Sequence, residues 1–389
     1  PERRHEYEMG ADISLFDGSM GISTTIYNAI NNDVIYNIDV IPSTGADEMT
    51  ANGASIGNKG IELAIDYRAI DTEKIRWDSK FIFASNKNTV LEMNGVTGSM
   101  AKSMNQDLVP SRGIAKFSEV SPGREYAEFK VLSWARFGYG IIVDHDLDIN
   151  TPDVNIDTLN QYRWRKNDVY VADNGLPIMY SQKIWSGYAP NPDWTGSFFN
   201  EVSIGKKIKL GCLVDLSIGG HIANYTKNAL YEWGTHADTD KRYHPDFDDP
   251  DWYGYEEGVS TNWGKGKFQN LLNHGHRSIG PGQDTIITYS QNFYENYMGR
   301  NTDVINNIED ASYAKLREIS LSYNLGKINN SYLGDPNIVI RLSAQDLITW
   351  TNYSGWDPET NMYQDRISGE DYFNQPQTWR GNLAFQLNW

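Results

Sequence analysis

The densest set of chemically capable side chains lies in HADTDKRYHPDFDDPDWYGYEE, residues 236–257, which holds Asp238, Asp240, Asp246, Asp248, Asp249, Asp251, Glu256 and Glu257. Hard carboxylate oxygens packed this closely suit Ca²⁺, with Asp246, Asp248, Asp249 and Asp251 the tightest group. The spacing lacks the central glycine and closing glutamate of an EF-hand loop, so a solvated acidic loop is the plainer reading. A sparser second candidate is VDHDLDINTPD, 143–153. Beyond such a structural calcium no cofactor is expected. No Ser-His-Asp signature, HExxH zinc motif or phosphate-binding glycine loop is present, and no carboxylate pair is marked as an acid and base. The sequence is read as that of a non-enzyme.

Aromatic side chains in connecting segments offer a different chemistry. Trp185, Tyr188, Trp194, Trp252, Tyr253, Tyr255, Trp263, Trp350, Tyr353 and Trp356 can stack on sugar faces or hydrogen-bond to a ligand. The competing reading is that they pack loops together or sit in a membrane-interface girdle. The stretch YSGWDPE, 353–359, is a fixed turn in which Pro358 locks φ and Asp357 can cap the bend, a rigid shape that suits docking and equally suits a loop with no partner. His221 and His244 read as ordinary polar residues. Cys212 has no second cysteine to pair with and lies on the apolar side of its strand, where it acts as a small hydrophobe.

What must position these residues is legible from alternation. NKGIELAIDYRA puts Ile61, Leu63, Ile65 and Tyr67 on one side and Glu62, Asp66 and Arg68 on the other. KIRWDSKFIFASN sets Trp77, Phe81 and Phe83 against Arg76, Asp78 and Lys80, and KIKLGCLVDLSIGG aligns Leu210, Cys212, Val214 and Leu216 against Lys209 and Asp215. KLREISLSYNLG and NIVIRLSAQDLI repeat the pattern. The closing GNLAFQLNW places Leu383, Phe385, Leu387 and Trp389 on one face. A period of two means strand, with one face for each of two solvents. No helical stretch is evident.

Length and charge narrow the class. The 389 residues carry a net charge of −17, which argues against nucleic-acid binding. No run approaches the ~18 apolar residues of a membrane-spanning helix, but alternating strands of a membrane barrel have no such run. Aromatic content of 13%, with 24 Tyr and 12 Trp, suits aromatic girdles or a glycan-handling all-β protein. The strands are about 9–14 residues long, right for a tilted membrane crossing. Tight connections at 70–74, 205–207 and 326–337 alternate with long ones near 137–194, 225–312 and 349–379. Short turns on one side and long loops on the other mark a transmembrane antiparallel β-barrel of the outer membrane. In that reading residues 1–389 supply about 10–11 strands, the loops are extracellular and the C-terminus is periplasmic. Trp389 lies in the girdle, and parity calls for one strand within 137–180, with QYRWRKNDVYVAD as its candidate.

Local motifs add a family resemblance. PERRHEYEMGADISLF, NKGIELAIDY with WDSKFIFASNKNTVLEM, PNPDWTGSFFNEVSIGKKIKLGCLVDLSIGGHIANYT, EDASYAKLREISLSYNL and DLITWTNYSGWDPETN follow one another from Pro1 to near the end. In this order they resemble the SusC/RagA-type TonB-dependent transporters of the Bacteroidota outer membrane. Asp346, Trp350 and the terminal Trp depart from the commoner family residues. The resemblance implies a plugged barrel of roughly 22 strands, of which this chain is about the C-terminal half. The plug and N-terminal regions are not in this chain, whose opening PERRHEYEMG has neither an initiator Met nor a signal peptide.

The same resemblance implies energy-coupled import of an oligomeric nutrient, a glycan or an oligopeptide. Its implied partners are a SusD/RagB-like surface lipoprotein lid, TonB–ExbB–ExbD acting through the N-terminal region, outer-membrane lipid, and a second transporter–lid pair. Trp185, Trp194, Trp252, Tyr253, Trp263, Tyr353, Trp356 and Asp357 are the loop candidates for contact with substrate or lid. Two other classes stay open: a non-transporting structural or secretion-associated barrel, and a soluble all-β glycan-binding protein.

Overall fold

The computed structural model of the chain describes residues 1–39, 48–93, 118–131, 169–170, 184–237, 275–276, 307–327, 336–360 and 369–388. Four long strands come first: β1 (Arg3–Leu15), β2 (Met20–Asp39), β3 (Glu48–Asp71) and β4 (Ile75–Met93). Short strands follow, β5 (Ser118–Glu119), β6 (Glu128–Val131), β7 (Val169–Tyr170) and β8 (Ile184–Trp185), then the long β9 (Trp194–Ile204) and β10 (Ile208–Ile218). Next come β11 (His221–Asn224), helix α1 (Tyr225–Glu232), β12 (Gly275–His276) and β13 (Ile308–Asp310). The chain closes with long β14 (Tyr313–Lys327) and β15 (Asn337–Thr351), short β16 (Glu370–Asp371) and β17 (Arg380–Asn388).

The long strands form one 9-stranded sheet in the order β1-β2-β3-β4-β9-β10-β14-β15-β17, with sequential neighbours antiparallel throughout. Because opposed residues share a face, the register turns each strand's alternation into rows across the sheet. One row runs Ile13–Ile22–Ile65–Phe81–Phe198–Val214–Leu316–Ile348. A parallel row runs Trp77–Val202–Leu210–Leu321–Leu342–Leu383. The opposite face carries Ser23–Ala64–Ile82–Ser197–Asp215–Lys315–Thr349 and cross-strand ion pairs such as Lys80–Asp66 at 3.1 Å and Lys209–Glu201 at 3.0 Å.

The apolar face is left uncovered: Leu383 and Phe385 are 62% and 65% exposed, and Phe198, Leu210, Ile319 and Leu342 are exposed as well. An apolar area of this extent is a membrane surface. Tyr67, Trp77 and Tyr323 lie on it toward the tight turns; Trp194 and Trp350 lie on it toward the long loops. Tyr323 and Ala314, the partner of Trp350, are about nine residues apart on β14, ~30 Å of strand. A tilt of ~40° reduces this to about 23 Å, close to the ~25 Å apolar band of an outer-membrane barrel.

Local chemistry makes the tight turns. Phe16, Asp17 and Gly18 take φ of 54°, 50° and 84° between β1 and β2. The Thr72 hydroxyl closes residues 72–74 through Ile75 O at 2.9 Å and Ile75 N at 3.0 Å, and Gly205 has φ 55° between β9 and β10. The connections at the other end of the sheet include the excursions 94–193, 219–312 and 352–379. The long/short sorting expected from the sequence is therefore present. β17 descends from the long-loop end, and Trp389 lies outside the described residues.

Two expectations change. β4 pairs directly with β9, so no strand stands between them, and parity is satisfied without the one sought in 137–180. The 94–193 connection is one excursion, and of the proposed segment the described residues are Val169 and Tyr170, which pair with β12. Among the described residues the sheet holds nine strands, where the sequence led us to expect about 10–11. Second, a helix exists. Its periodicity is weak, and it is held by the Asn224 side chain accepting from Lys227 N at 2.9 Å and by burial of Tyr225, Asn228, Ala229 and Tyr231.

Candidate functional site

Described segments of the excursions pack against the polar face at the long-loop end, and a bulge organises one such contact. Between Leu316 and Glu318 the register slips against both β10 and β15, which leaves Arg317 unopposed. On β15 the slip is absorbed at Asp346, φ 54°, a conformation Asp tolerates. Arg317 reaches Asp215 at 2.7 Å, Asp346 at 3.2 Å and also Glu359. Two residues earlier, Lys315 is 1% exposed and bridges Asp357 at 3.1 Å and Glu359. The Tyr313 hydroxyl donates to Glu359 at 2.6 Å, and Gln377 Nε2 donates to it at 3.2 Å. Burial alone would raise the Glu359 carboxyl, but hydrogen bonds from Arg317, Lys315 and Tyr313 outweigh it and hold the group at about 2. Two cations and four carboxylates thus fasten the 353–360 turn to the wall. The turn itself is closed by Asp357, which accepts from Glu359 N at 3.0 Å.

Around this anchor sits a cap with its own core. The three-stranded sheet β13-β11-β16 continues into α1, and Phe129, Val131, Ala223, Tyr225 and Ile308 are buried together. Glu309 binds Lys227 Nζ at 2.9 Å and takes hydrogen bonds from Ser354 N and Oγ at 2.8 and 2.7 Å. A second cluster, Val90, Val120 and Ala127, rests on the upper end of β4, where Tyr126 N donates to Asn88 Oδ1 at 2.8 Å. At the hinge between β10 and the cap, Gly219 has φ 93°, and a Cβ there would run into the Asp193 carboxylate.

Glu370 stands apart. Its Oε1 is buried with no hydrogen-bond partner among the described residues, and burial pushes its carboxyl up to about 8. His221 stacks on Tyr188 at 4.3 Å, and burial holds its imidazole below the ordinary value.

The aromatic candidates scatter. Trp185 is sandwiched in the cap by cations, Arg124 at 4.4 Å and Lys130 at 5.1 Å from its ring. Trp194 packs on Phe83 at 5.6 Å on the apolar face, a girdle position rather than a loop, and Trp350 sits in the same band. Tyr353 and Asp357 were expected to meet a ligand or partner, yet both are buried. Tyr353 donates to Asp371 at 2.6 Å, Asp357 binds Lys315, and both hold the loop in place. Of the candidates in that turn, Trp356 projects outward, 78% exposed. Trp252, Tyr253, Tyr255 and Trp263, the acidic set Asp246, Asp248, Asp249 and Asp251, the 143–153 stretch and His244 lie outside the described residues.

Sequence reasoning missed Lys315, Arg317 and Glu359. A signal existed: in KLREISLSY the apolar phase jumps from Leu316 to Ile319, a break in alternation that marks a bulge at Arg317.

No family model matches the sequence. Over 96% of its length the chain is 22% identical to TonB-dependent receptor P3 of Formosa agariphila. It superimposes on a chain of the RagAB peptide importer in its open-open state with a TM-score of 0.60, covering 99% of this chain at 16% identity. The chain is thus similar in sequence to a TonB-dependent receptor and shares the fold of part of a RagAB chain. A second structure, of the RagAB peptide transporter, gives a TM-score of 0.58 at 15% identity, again over 99% of this chain. A shorter match, 33% identical over 92 residues or 24% of the chain, is to TonB-dependent receptor P39 of the same organism. The chain spans about a third of the length of these relatives, 33% of the P3 receptor and 35% and 34% of the two RagAB chains.

Proposed function

We propose that this chain forms part of the wall and extracellular cap of a transporter that imports an oligomeric nutrient, a glycan or an oligopeptide, across the outer membrane. The energy comes from TonB–ExbB–ExbD, and a SusD/RagB-like lipoprotein closes the barrel from outside. The observation that carries this reading is the sorting of the two faces. The apolar rows are bare, whereas the ion-paired face carries the whole cap at the long-loop end. A wall built this way separates lipid from an aqueous route, and a cap over the route restricts what enters. In this reading the tight turns are periplasmic, the cap is extracellular, and Trp389 stands in the periplasmic girdle. The plug and the remaining wall come from the rest of the transporter. The similarity to receptors and to a peptide transporter supports it.

The test is uptake by cells of labelled oligosaccharides and oligopeptides, with the gene intact or deleted and with or without a protonophore. Import requires uptake of at least one ligand class that is lost in both treatments. Purification in detergent should bring down a surface lipoprotein in equal amount. Uptake indifferent to the deletion would sink the import reading.

A further inference from the structure

The two faces of β1–β4 treat their cations differently. On the polar face Arg4, Arg68, Arg76 and Lys80 each meet a carboxylate: Glu6 at 2.8 Å, Asp78 at 3.1 Å, Asp78 at 2.6 Å and Asp66 at 3.1 Å. On the apolar face the register sets Tyr7, Asn28, Lys59 and Lys87 in one row, with the two lysines directly opposite each other. Opposed side chains start ~5 Å apart at Cβ, and like charges there are destabilising. Both lysines are exposed, and among the described residues neither forms an ion pair. Glu125 acts on Lys87 through space, but its carboxylate is half-buried and accepts from Asn191 at 3.4 Å. A repulsive pair of this kind, held in the open, is matched by an anion from outside the chain.

The height of the row selects the anion. β4 climbs from the tight turn at 72–74, and Thr195 pairs with Ala84, so Trp194 of the upper aromatic band stands beside Ser85. Lys87 is the next outward residue, ~7 Å further along the strand and about 5 Å higher at a tilt of ~40°. That is headgroup level, where a lysine lays its stem on apolar surface and its ammonium among charges. Directly below, Met9, Ile26 and Ile61 form a row that is 68%, 46% and 40% exposed, a bed for acyl chains. Free phosphate would use the lysines alone, whereas a lipid uses both rows. A phosphate monoester carries about −1.5 to −2 charge at neutral pH, which suits two ammoniums better than a singly charged diester does. We propose that Lys59 and Lys87 bind the phosphate monoester of a lipid in the leaflet at the long-loop end. The site rests on the wall's apolar face meeting lipid, independently of what the transporter carries.

The test is native mass spectrometry of the full-length transporter in a nonionic detergent. It is titrated with phosphorylated lipid A, the same lipid A stripped of phosphate, phosphatidylglycerol and inorganic phosphate. Phosphorylated lipid A is expected to bind, and Lys59→Gln combined with Lys87→Gln to weaken it about tenfold. In lipid-free detergent that variant should melt no lower than wild type, because the repulsion is gone. Lys59→Arg with Lys87→Arg keeps both charges and should keep binding. Lys80→Gln makes a charge change on the polar face and should leave binding unchanged. Binding that survives the double glutamine variant, or that falls equally in Lys80→Gln, would overturn the site. Equal binding of dephosphorylated lipid A or of phosphatidylglycerol would remove the monoester, and inorganic phosphate held as tightly as the lipid would remove the lipid. Uptake of labelled cargo reads import separately, so either conclusion can fail alone.

Discussion

The wall and the cap are joined through β14, yet their side chains find partners in opposite ways. Along Trp77–Val202–Leu210–Leu321–Leu342–Leu383 the large apolar groups stand in the open. In the cap, Phe129, Val131 and Ala223 are fully buried and carboxylates are spent inside. The wall depends on its surroundings for a solvent that suits each face, while the cap supplies its own interior. The difference turns on β14, which serves as wall below the Arg317 bulge and as anchor for the cap above it.

The sharpest way to break that arrangement is Lys315→Met. It leaves Asp357 buried without its cation and Glu359 with Arg317 as its one remaining cation, and losing one partner of a buried pair costs about 3–5 kcal/mol. The expected outcome is proteolytic cleavage within 353–360 while the wall stays folded and resistant. If the whole protein fails to assemble instead, cap and wall are one cooperative unit and the contrast is wrong. Second in size is a pair of substitutions on adjacent residues of the wall. Ile319→Arg puts a charge on the lipid face about midway between the two aromatic bands and should cost about 2–4 kcal/mol, seen as lost assembly in a urea titration in vesicles. Ser320→Arg faces the other way and should fold nearly as well as wild type. Equal effects would mean that the faces have been assigned incorrectly.

These predictions follow the line between what could be read from the chain and what could not. Alternation in β3, β4, β10 and β17 gave the wall, because a two-residue period maps directly onto two solvents. The cap was hidden because its contacts join residues far apart. Asp357 reads as a capping residue in a Gly-Trp-Asp-Pro turn, and it does cap, but nothing local says that its carboxylate meets Lys315, 42 positions earlier. Tyr353 looked like a ligand-facing aromatic for the same reason, since its partner Asp371 lies 18 positions further along the excursion. The extra strand sought in 137–180 came from counting without pairing; only the β4–β9 register shows that one excursion bridges the gap. The glycine of NKGIEL has an equally non-local cause, because the Tyr27 side chain lies across Gly60 and donates to Asn86 at 3.1 Å.

Two carboxyls of the cap sharpen the comparison through pH. Glu359 is held at about 2 by its cations, below the ordinary 4.5, so its stabilisation is complete above about pH 4.5 and is lost as pH falls toward 2. Glu370 is pushed the other way, to about 8. It keeps its proton in the folded cap after the unfolded chain has released it, so its contribution is complete below pH 4.5 and is lost as pH rises to 8. Melting followed by tryptophan fluorescence should show a cap transition highest near pH 5 and falling on both sides. Glu370→Gln should flatten the high-pH side alone. A profile unchanged by that substitution would mean that Glu370 ionises freely and the cap interior is wet.

The smallest effect tests the polar face of the wall itself. Arg341 and Glu318 pair at 2.7 Å, as Lys315 and Asp357 do at 3.1 Å, but Arg341 is more than half exposed. In an aqueous lumen such a pair is worth about 0–1 kcal/mol. A double-mutant cycle of Arg341→Ala and Glu318→Ala should return a coupling in that range, weakened further by salt. A coupling near that of a buried pair would mean that the rest of the transporter covers this patch and keeps it dry. The aqueous route would then be narrower than the open face of these nine strands suggests, and the cap's anchor would extend down the wall rather than end at the bulge.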